Sequence, residues 1–351
     1  MIKLNHSSKL FLFSTAMIAA LAGCSDSSND TSSDDTDATI DSESSTEEQI
    51  VIEHAFGETV LDSVPDRVAT VQWGNQDVAL ALGVVPVGFS AANFGVQDDS
   101  GLLPWTAEKL EELGEEDPNV FQDTDGLDFE AIADSQPDVI LAAYSGITEE
   151  DYNLLSEIAP VVAYPTSPWT TSWRDHVLMN AEGMGLKEQG EQLIEDTEQL
   201  IDEKLAEYPE IEGKTVAWVN FSATDMSNLH LYTPTDTRVA FLTEELNMEF
   251  PQEIKDELSN EEDFSLSLSA ENADILNNVD VILGYGDDDL FEALQSDARL
   301  GQIPAIERGS VAFINGGSEL GAAGTPNPLS ISYTLDEYLE LIGDALNQAE
   351  E

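Results

Sequence analysis

Basic side chains, histidine and cysteine are the scarce residues of this chain, and each shortage argues against a class of function. Twelve Lys and Arg stand against 71 Asp and Glu, a formal charge of −59. A polyanion of that size does not neutralise phosphates, so no nucleic-acid partner is expected. Past residue 23 the only histidines are His54, His176 and His230, widely spaced. Direct capture of zinc or manganese calls for a compact set of imidazole donors, which that spacing does not supply. The single cysteine, Cys24, permits no intramolecular disulfide. An exported enzyme also finds few candidates, because the chain has no Gly-x-Ser-x-Gly elbow, phosphate loop or His-Glu-x-x-His. Asp123-Thr124-Asp125-Gly126-Leu127-Asp128 has calcium-loop composition, but its glycine falls too early for an EF-hand, and it reads as a turn.

What is present begins at the N-terminus. Lys3 and Lys9 precede an apolar run over residues 10–22, which closes on Leu21-Ala22-Gly23-Cys24. Thirteen residues are too few to span a bilayer as a helix, so residues 1–23 read as a removable signal peptide. The Leu-Ala-Gly-Cys tetrad resembles a bacterial lipobox, which implies acylation of Cys24 and a membrane anchor. Residues 25–49 hold nine acidic residues, twelve Ser or Thr and no Lys or Arg. Such a segment buries too little apolar surface to fold, and 24–49 is read as an acidic tether reaching about 28 Å as a flexible coil. The acidic excess is read as a solubility device of a salt-adapted, halophilic host, since about 1 M salt shrinks the screening length to roughly 3 Å.

From Ile50 onward short apolar runs alternate with amphipathic stretches. Val68–Val71, Val85–Phe89, Asp138–Ala142 and Val161–Tyr164 are expected as strands, and Asp77–Leu82, Asp128–Asp134 and Thr148–Ile158 as helices. Thr148 is the expected N-cap of the last, with Glu149, Glu150 and Asp151 in its first turn. Between Trp173 and Tyr208 there is no strand signal. Gly183, Gly185 and Gly190 are expected to break its first half, with one continuous helix from about Lys187 to Pro209. Alternation then resumes with Thr215–Phe221, Leu229–Tyr232, a helix from Asp236, Val281–Leu283, Val311–Ile314 and a closing helix around Leu335–Leu346. The fold class is α/β with mostly parallel sheets: a lobe over 50–172, a helical linker over 173–208, and a second lobe over 209–351. A weak internal echo relates the lobes. Glu130 precedes Asp138-Val139-Ile140-Leu141 as Glu271 precedes Asp280-Val281-Ile282-Leu283, each glutamate in the first turn of a short helix.

Val64-Pro65-Asp66-Arg67-Val68, Ala81 through Gly88, Phe129 through Ile132 with Gln136 through Leu141, and Glu157 through Val162 together resemble the iron-siderophore substrate-binding lipoproteins of ABC transporters. The resemblance covers nearly everything from about Phe56 onward. It implies two Rossmann-like lobes bridged by one long α-helix, a receptor without catalysis, and delivery of an iron(III) chelate to a permease. It also implies that Glu130 and Glu271 pair with arginines of the permease subunits. No intrinsic cofactor is implied, since the ferric siderophore is the transported ligand, and a monomer is expected.

A cleft for a bulky, often anionic chelate needs aromatic faces and a guanidinium or two. Loops at the C-terminal ends of strands are where open α/β sheets bind ligands. Trp169 and Trp173 flank such a loop, and Trp105 follows Leu102-Leu103-Pro104 in a segment without periodicity. Arg174 and Arg238 are the candidate cations, unless each is consumed by a neighbouring carboxylate, while Arg67 reads as structural. Tyr144, Tyr232 and Tyr285 sit at strand ends, where they line a cleft or pack in a core. Trp218 reads as core and Trp73 as intermediate. A haem or cobalamin receptor of the same fold stays open at this stage.

Overall fold

The computed structural model describes residues 49–348 apart from Gln97, Thr124 and Glu261. The signal peptide, Cys24 and the tether up to residue 48 lie outside the described residues. From Ile50 the chain makes an antiparallel hairpin, β1 (Ile50–His54) and β2 (Gly57–Leu61). The first lobe follows: β3 (Val68–Thr70), α1 (Asn75–Ala81), β4 (Gly88–Ser90), α2 (Pro104–Leu113), β5 (Val120–Phe121), α3 (Phe129–Asp134), β6 (Val139–Ala142), α4 (Glu149–Ser156) and β7 (Val161–Ala163). Its sheet has the order β5-β4-β3-β6-β7 and is parallel throughout. Every residue of β3, β6 and β7 is buried, which is why β6 and β7 read as unbroken apolar runs and β3 as one that ends on Thr70. Pro86 has no N–H to give a ladder, and β4 begins only at Gly88 rather than at Val85. Thr148 caps α4 as expected: its hydroxyl accepts from Asp151 N at 3.2 Å while the Asp151 carboxylate accepts from Thr148 N at 2.9 Å.

The continuous helix expected from Lys187 is present, and the first half of the linker, expected to be broken, is a helix too. α5 (Trp173–Gly183) packs on the first lobe, burying Met179 with Ile52, Leu61 and Val139, and α6 (Lys187–Leu205) runs about 28 Å beside it. Gly185, at φ +68°, makes the turn between them. Gly190 breaks nothing. It is buried in α6, where a Cβ would strike the Ala181 Cβ, so its bareness lets the two helices approach closely.

The second lobe holds β8 (Val216–Asn220), β9 (Asn228–Tyr232), α7 (Thr237–Ala240) continuing into a wider π turn over Phe241–Glu245, α8 (Gln252–Glu257), β10 (Ser265–Ser269) and a 3₁₀ segment over Ala270–Leu276. After these come β11 (Val281–Tyr285), α9 (Asp288–Ser296), α10 (Pro304–Glu307), β12 (Val311–Ile314), α11 (Glu319–Ala322) and α12 (Pro328–Asn347). The order β10-β9-β8-β11-β12 repeats that of the first sheet, but β9 runs antiparallel to both of its neighbours, so this sheet is mixed.

The internal echo extends to hydrogen bonds. Asp138 Oδ2 accepts from Arg67 N at 3.0 Å and Asp138 N donates to Arg67 O; Asp280 Oδ2 accepts from Thr215 N at 2.8 Å and Asp280 N donates to Thr215 O. Each aspartate thus locks the entry of one central strand to its neighbour. In both sheets the winding reverses between the two central strands, which opens a crevice at their C-terminal ends. One apolar core runs from Val78 of α1 through Val177 of α5 and Ile201 of α6 to Leu335 and Leu339 of α12. The lobes therefore share packed side chains along one edge, and the crevice lies beyond that seam.

Candidate functional site

The second lobe supplies a guanidinium held among rings. Asp236 caps α7 by accepting from Arg238 N at 2.9 Å, and the same carboxylate takes Nε at 2.8 Å and Nη2 at 2.6 Å. This geometry is local, since a capping aspartate two residues before an arginine meets its side chain within one turn. The guanidinium carbon stands 4.0 Å from the Tyr232 ring centre, 5.7 Å from Trp218 and 5.8 Å from Tyr285. Burial works against its charge, but hydrogen bonds and attraction from Asp236 outweigh that and raise its pKa well above the ordinary arginine value. Tyr285 is raised by burial, with Arg238 opposing, so the phenol stays neutral beside the cation. Phe264 meets Tyr232 edge-on at 5.6 Å, extending the aromatic wall.

The first lobe faces this wall with the loops after β6 and β7. Asn75 positions Tyr144 by donating from Nδ2 to Tyr144 O at 2.9 Å and accepting from Tyr144 N at 3.2 Å. The Tyr144 hydroxyl reaches Thr237 Oγ1 of the opposite lobe at 3.5 Å, and burial raises its pKa. Trp169 packs edge-on against Tyr144 at 5.4 Å and is 37% exposed, while Trp73 is half-buried. From the loop after β4, Phe94 crosses to Tyr285 at 5.9 Å. A cavity of about 480 Å³ separates Pro168, Trp169 and Thr170 from Thr235, Glu262 and Phe264. That is the size range of a small-molecule site.

Tyr144, Trp169, Tyr232, Arg238 and Tyr285 are thus drawn together from both lobes. Trp105, Trp173 and Arg174 are not. Trp105, expected in a loop, opens α2, because Pro104 is well tolerated in a first helical turn. It is 3% exposed, donates from Nε1 to Asp77 at 2.8 Å, and packs against Tyr333 of the second lobe. Asp77 also receives Thr106 Oγ1 at 2.6 Å and, across the seam, Asn327 Nδ2 at 3.0 Å. Burial raises its pKa to about 6 despite these donors. Trp173 donates from Nε1 to Glu245 at 2.9 Å. Arg174 divides its guanidinium between Glu198, 2.6 Å from Nε, and Glu245, a second seam joining α5, α6 and the π turn. Trp218 is fully buried, yet its ring forms the floor beneath Arg238. Arg67 ties the end of α3 down by donating to Gln136 O at 2.7 Å and Ser135 O at 2.5 Å.

The reading from sequence overlooked Phe94 and Phe264. Phe94 follows the C-terminal end of β4, so the rule that singled out Tyr144 and Tyr285 applies to it equally. Phe264 precedes an edge strand within an acidic, serine-rich stretch and carries no such signal. Glu130 and Glu271 are both exposed, each one residue into a helical turn whose cap, Asp128 or Ser269, accepts a backbone N–H.

The profile of the periplasmic binding protein family matches residues 68–316. Among solved structures, Streptococcus pneumoniae TIGR4 PiaA in complex with ferrichrome is 51% identical, with 86% of this chain and 99% of that chain covered at a TM-score of 0.81. A second structure of that iron uptake ABC transporter substrate-binding protein is 50% identical, with 86% and 100% covered and a TM-score of 0.78. A periplasmic solute binding protein from Mycobacterium smegmatis, 24% identical over 85% of this chain and 99% of its own, shares the fold at a TM-score of 0.67. No curated protein matches this chain.

Proposed function

Because the chain belongs to the periplasmic binding protein family, we propose that it is an extracytoplasmic receptor that captures a ferric siderophore of the ferrichrome type and delivers it to an ABC-transporter permease. The observation that carries this reading is the agreement of a half-identical ferrichrome-bound relative with a two-lobe cleft lined by Trp169 and Phe264, beside the cluster of rings around Arg238. A chelate already saturates its iron, so the protein needs only faces for its organic shell and donors for its oxygens. Tyr232, Tyr285, Trp169 and Phe264 offer the faces and Arg238 offers the donors, while Tyr144, expected at the ligand, is buried and supports Trp169 from behind. No side chain in this account touches the metal, and none carries out a reaction. Glu130 and Glu271 are the docking pair for two cationic sites on the permease, one carboxylate on each lobe reading their separation.

Cys24 carries the acyl anchor and residues 24–49 the tether, which keeps a monomeric receptor near its permease. The acidic surface suits a salty exterior. Among the described residues no helix is long and apolar enough to cross a membrane. The test is titration of tryptophan fluorescence with ferric hydroxamates, ferric catecholates, ferric citrate, haemin and cobalamin. Saturable one-to-one quenching by ferrichrome at the lowest concentration is the expected result. Tighter binding of haemin or cobalamin, or turnover of any of them, overturns it.

A further inference from the structure

Trp169 is the most exposed tryptophan of the described residues and sits in a backbone conformation, φ +63°, that bulky side chains rarely adopt. Such an outlier persists only where its surroundings fix it. Two contacts do so, both from the loop after β6. Trp169 N donates to Ser145 O at 3.1 Å, and the indole lies against Tyr144 and over Gly146. A Cβ placed on Gly146 would fall well inside van der Waals contact of indole Nε1, Cε2 and Cζ2. Gly146 itself does not need to be glycine for its backbone, because its φ lies outside the left-handed region. The missing side chain serves the indole alone.

Resting on the receptor reading above, we infer that Gly146 is a positioning residue for the guest. It seats the Trp169 ring against the first lobe and so sets the width of the cleft facing Thr235, Glu262 and Phe264. A methyl group at 146 lifts the ring off its seat into the 480 Å³ space that the chelate fills. The backbone at 146 accepts alanine, so G146A folds normally while the indole moves.

Calorimetric titration of the full chain with ferrichrome tests this in four proteins: wild type, G146A, W169A and the double variant. G146A is expected to raise Kd about 10-fold, the scale of one misplaced aromatic contact, whereas on the W169A background the same change leaves Kd unaltered. An equal rise in both backgrounds, or none in wild type, overturns the inference. The ¹⁹F spectrum of 5-fluorotryptophan-labelled protein without chelate supplies a readout independent of binding. The Trp169 resonance is expected to shift in G146A, and an unmoved resonance sinks the seat by itself. Wild-type protein that ignores ferrichrome while the resonance shifts sinks the receptor reading, and with it the role of the seat in choosing a guest.

Discussion

A guanidinium matched by its own capping aspartate gains little by attracting a distant anion, but it still presents N–H groups in a fixed plane. Replacing Arg238 by lysine keeps the charge and loses that fork, so R238K is expected to weaken ferrichrome binding by about 10-fold or more. R238Q goes further, stranding the buried Asp236 carboxylate, and should cost about 3 kcal/mol of stability. The double variant D236N/R238Q should recover most of that stability without recovering affinity. Thermal unfolding and chelate titration of the three proteins check both halves. Asp77 makes a second prediction at this scale. Its carboxyl titrates near 3.8 when unfolded and about 6 when folded, so the folded state binds the proton more tightly. Its contribution to stability is therefore complete below pH 4 and is lost as pH rises through 6, a change of about 3 kcal/mol. His176 acts in the opposite sense, because burial lowers its pKa to about 3 and stability is lost as pH falls below 6.5. Comparing wild type with D77N isolates the aspartate. Their stability difference should move against wild type between pH 4 and pH 7, and a flat difference refutes the assignment. Arg238 and Tyr144 were legible as candidates from their strand-end positions. Trp105, Trp173 and Arg174 were equally plausible, and only their packing partners separated the two groups.

Elements were easiest to read where local chemistry and burial agree. The apolar runs of β6 and β11 and the capping box of α4 are local statements, and they matched their expected spans closely. The short β5 and the edge strand β10 went unassigned, because each pairs with a strand some thirty residues away, and the local hairpin of β1 and β2 went unassigned as well. The reversed course of β9 is likewise decided by its neighbours in the sheet. α2 was hidden by Pro104, whose usual message is a loop. Gly190 predicts the consequence of filling a close approach: G190V should separate α5 from α6 and destabilise the protein by about 1–3 kcal/mol, read as a lowered melting temperature. The helix starts bearing Glu130 and Glu271 yield a different outcome. Reversal of both to lysine should leave ferrichrome affinity unchanged and abolish uptake in a strain dependent on this receptor. Normal uptake by that variant removes the docking role.

For the whole molecule the dominant quantity is charge. A net −59 is mutual repulsion spread over the surface, and screening relieves it, so the melting temperature should climb between 0.1 and 2 M sodium chloride. A flat or falling curve contradicts salt adaptation. The packed seam through α1, α5, α6 and α12 binds the lobes along one edge, consistent with modest movement on capture. Composition, strand and helix alternation, caps and the matched Glu130 and Glu271 positions were determined by the sequence by itself, because each depends on residues within a turn or two of one another. The cleft was decided by tertiary structure alone. Tyr144 meets Thr237, Trp169 faces Phe264 and Asp77 takes a hydrogen bond from Asn327 only because two sheets wound in the same order are held side by side, and no local pattern encodes the distance between them.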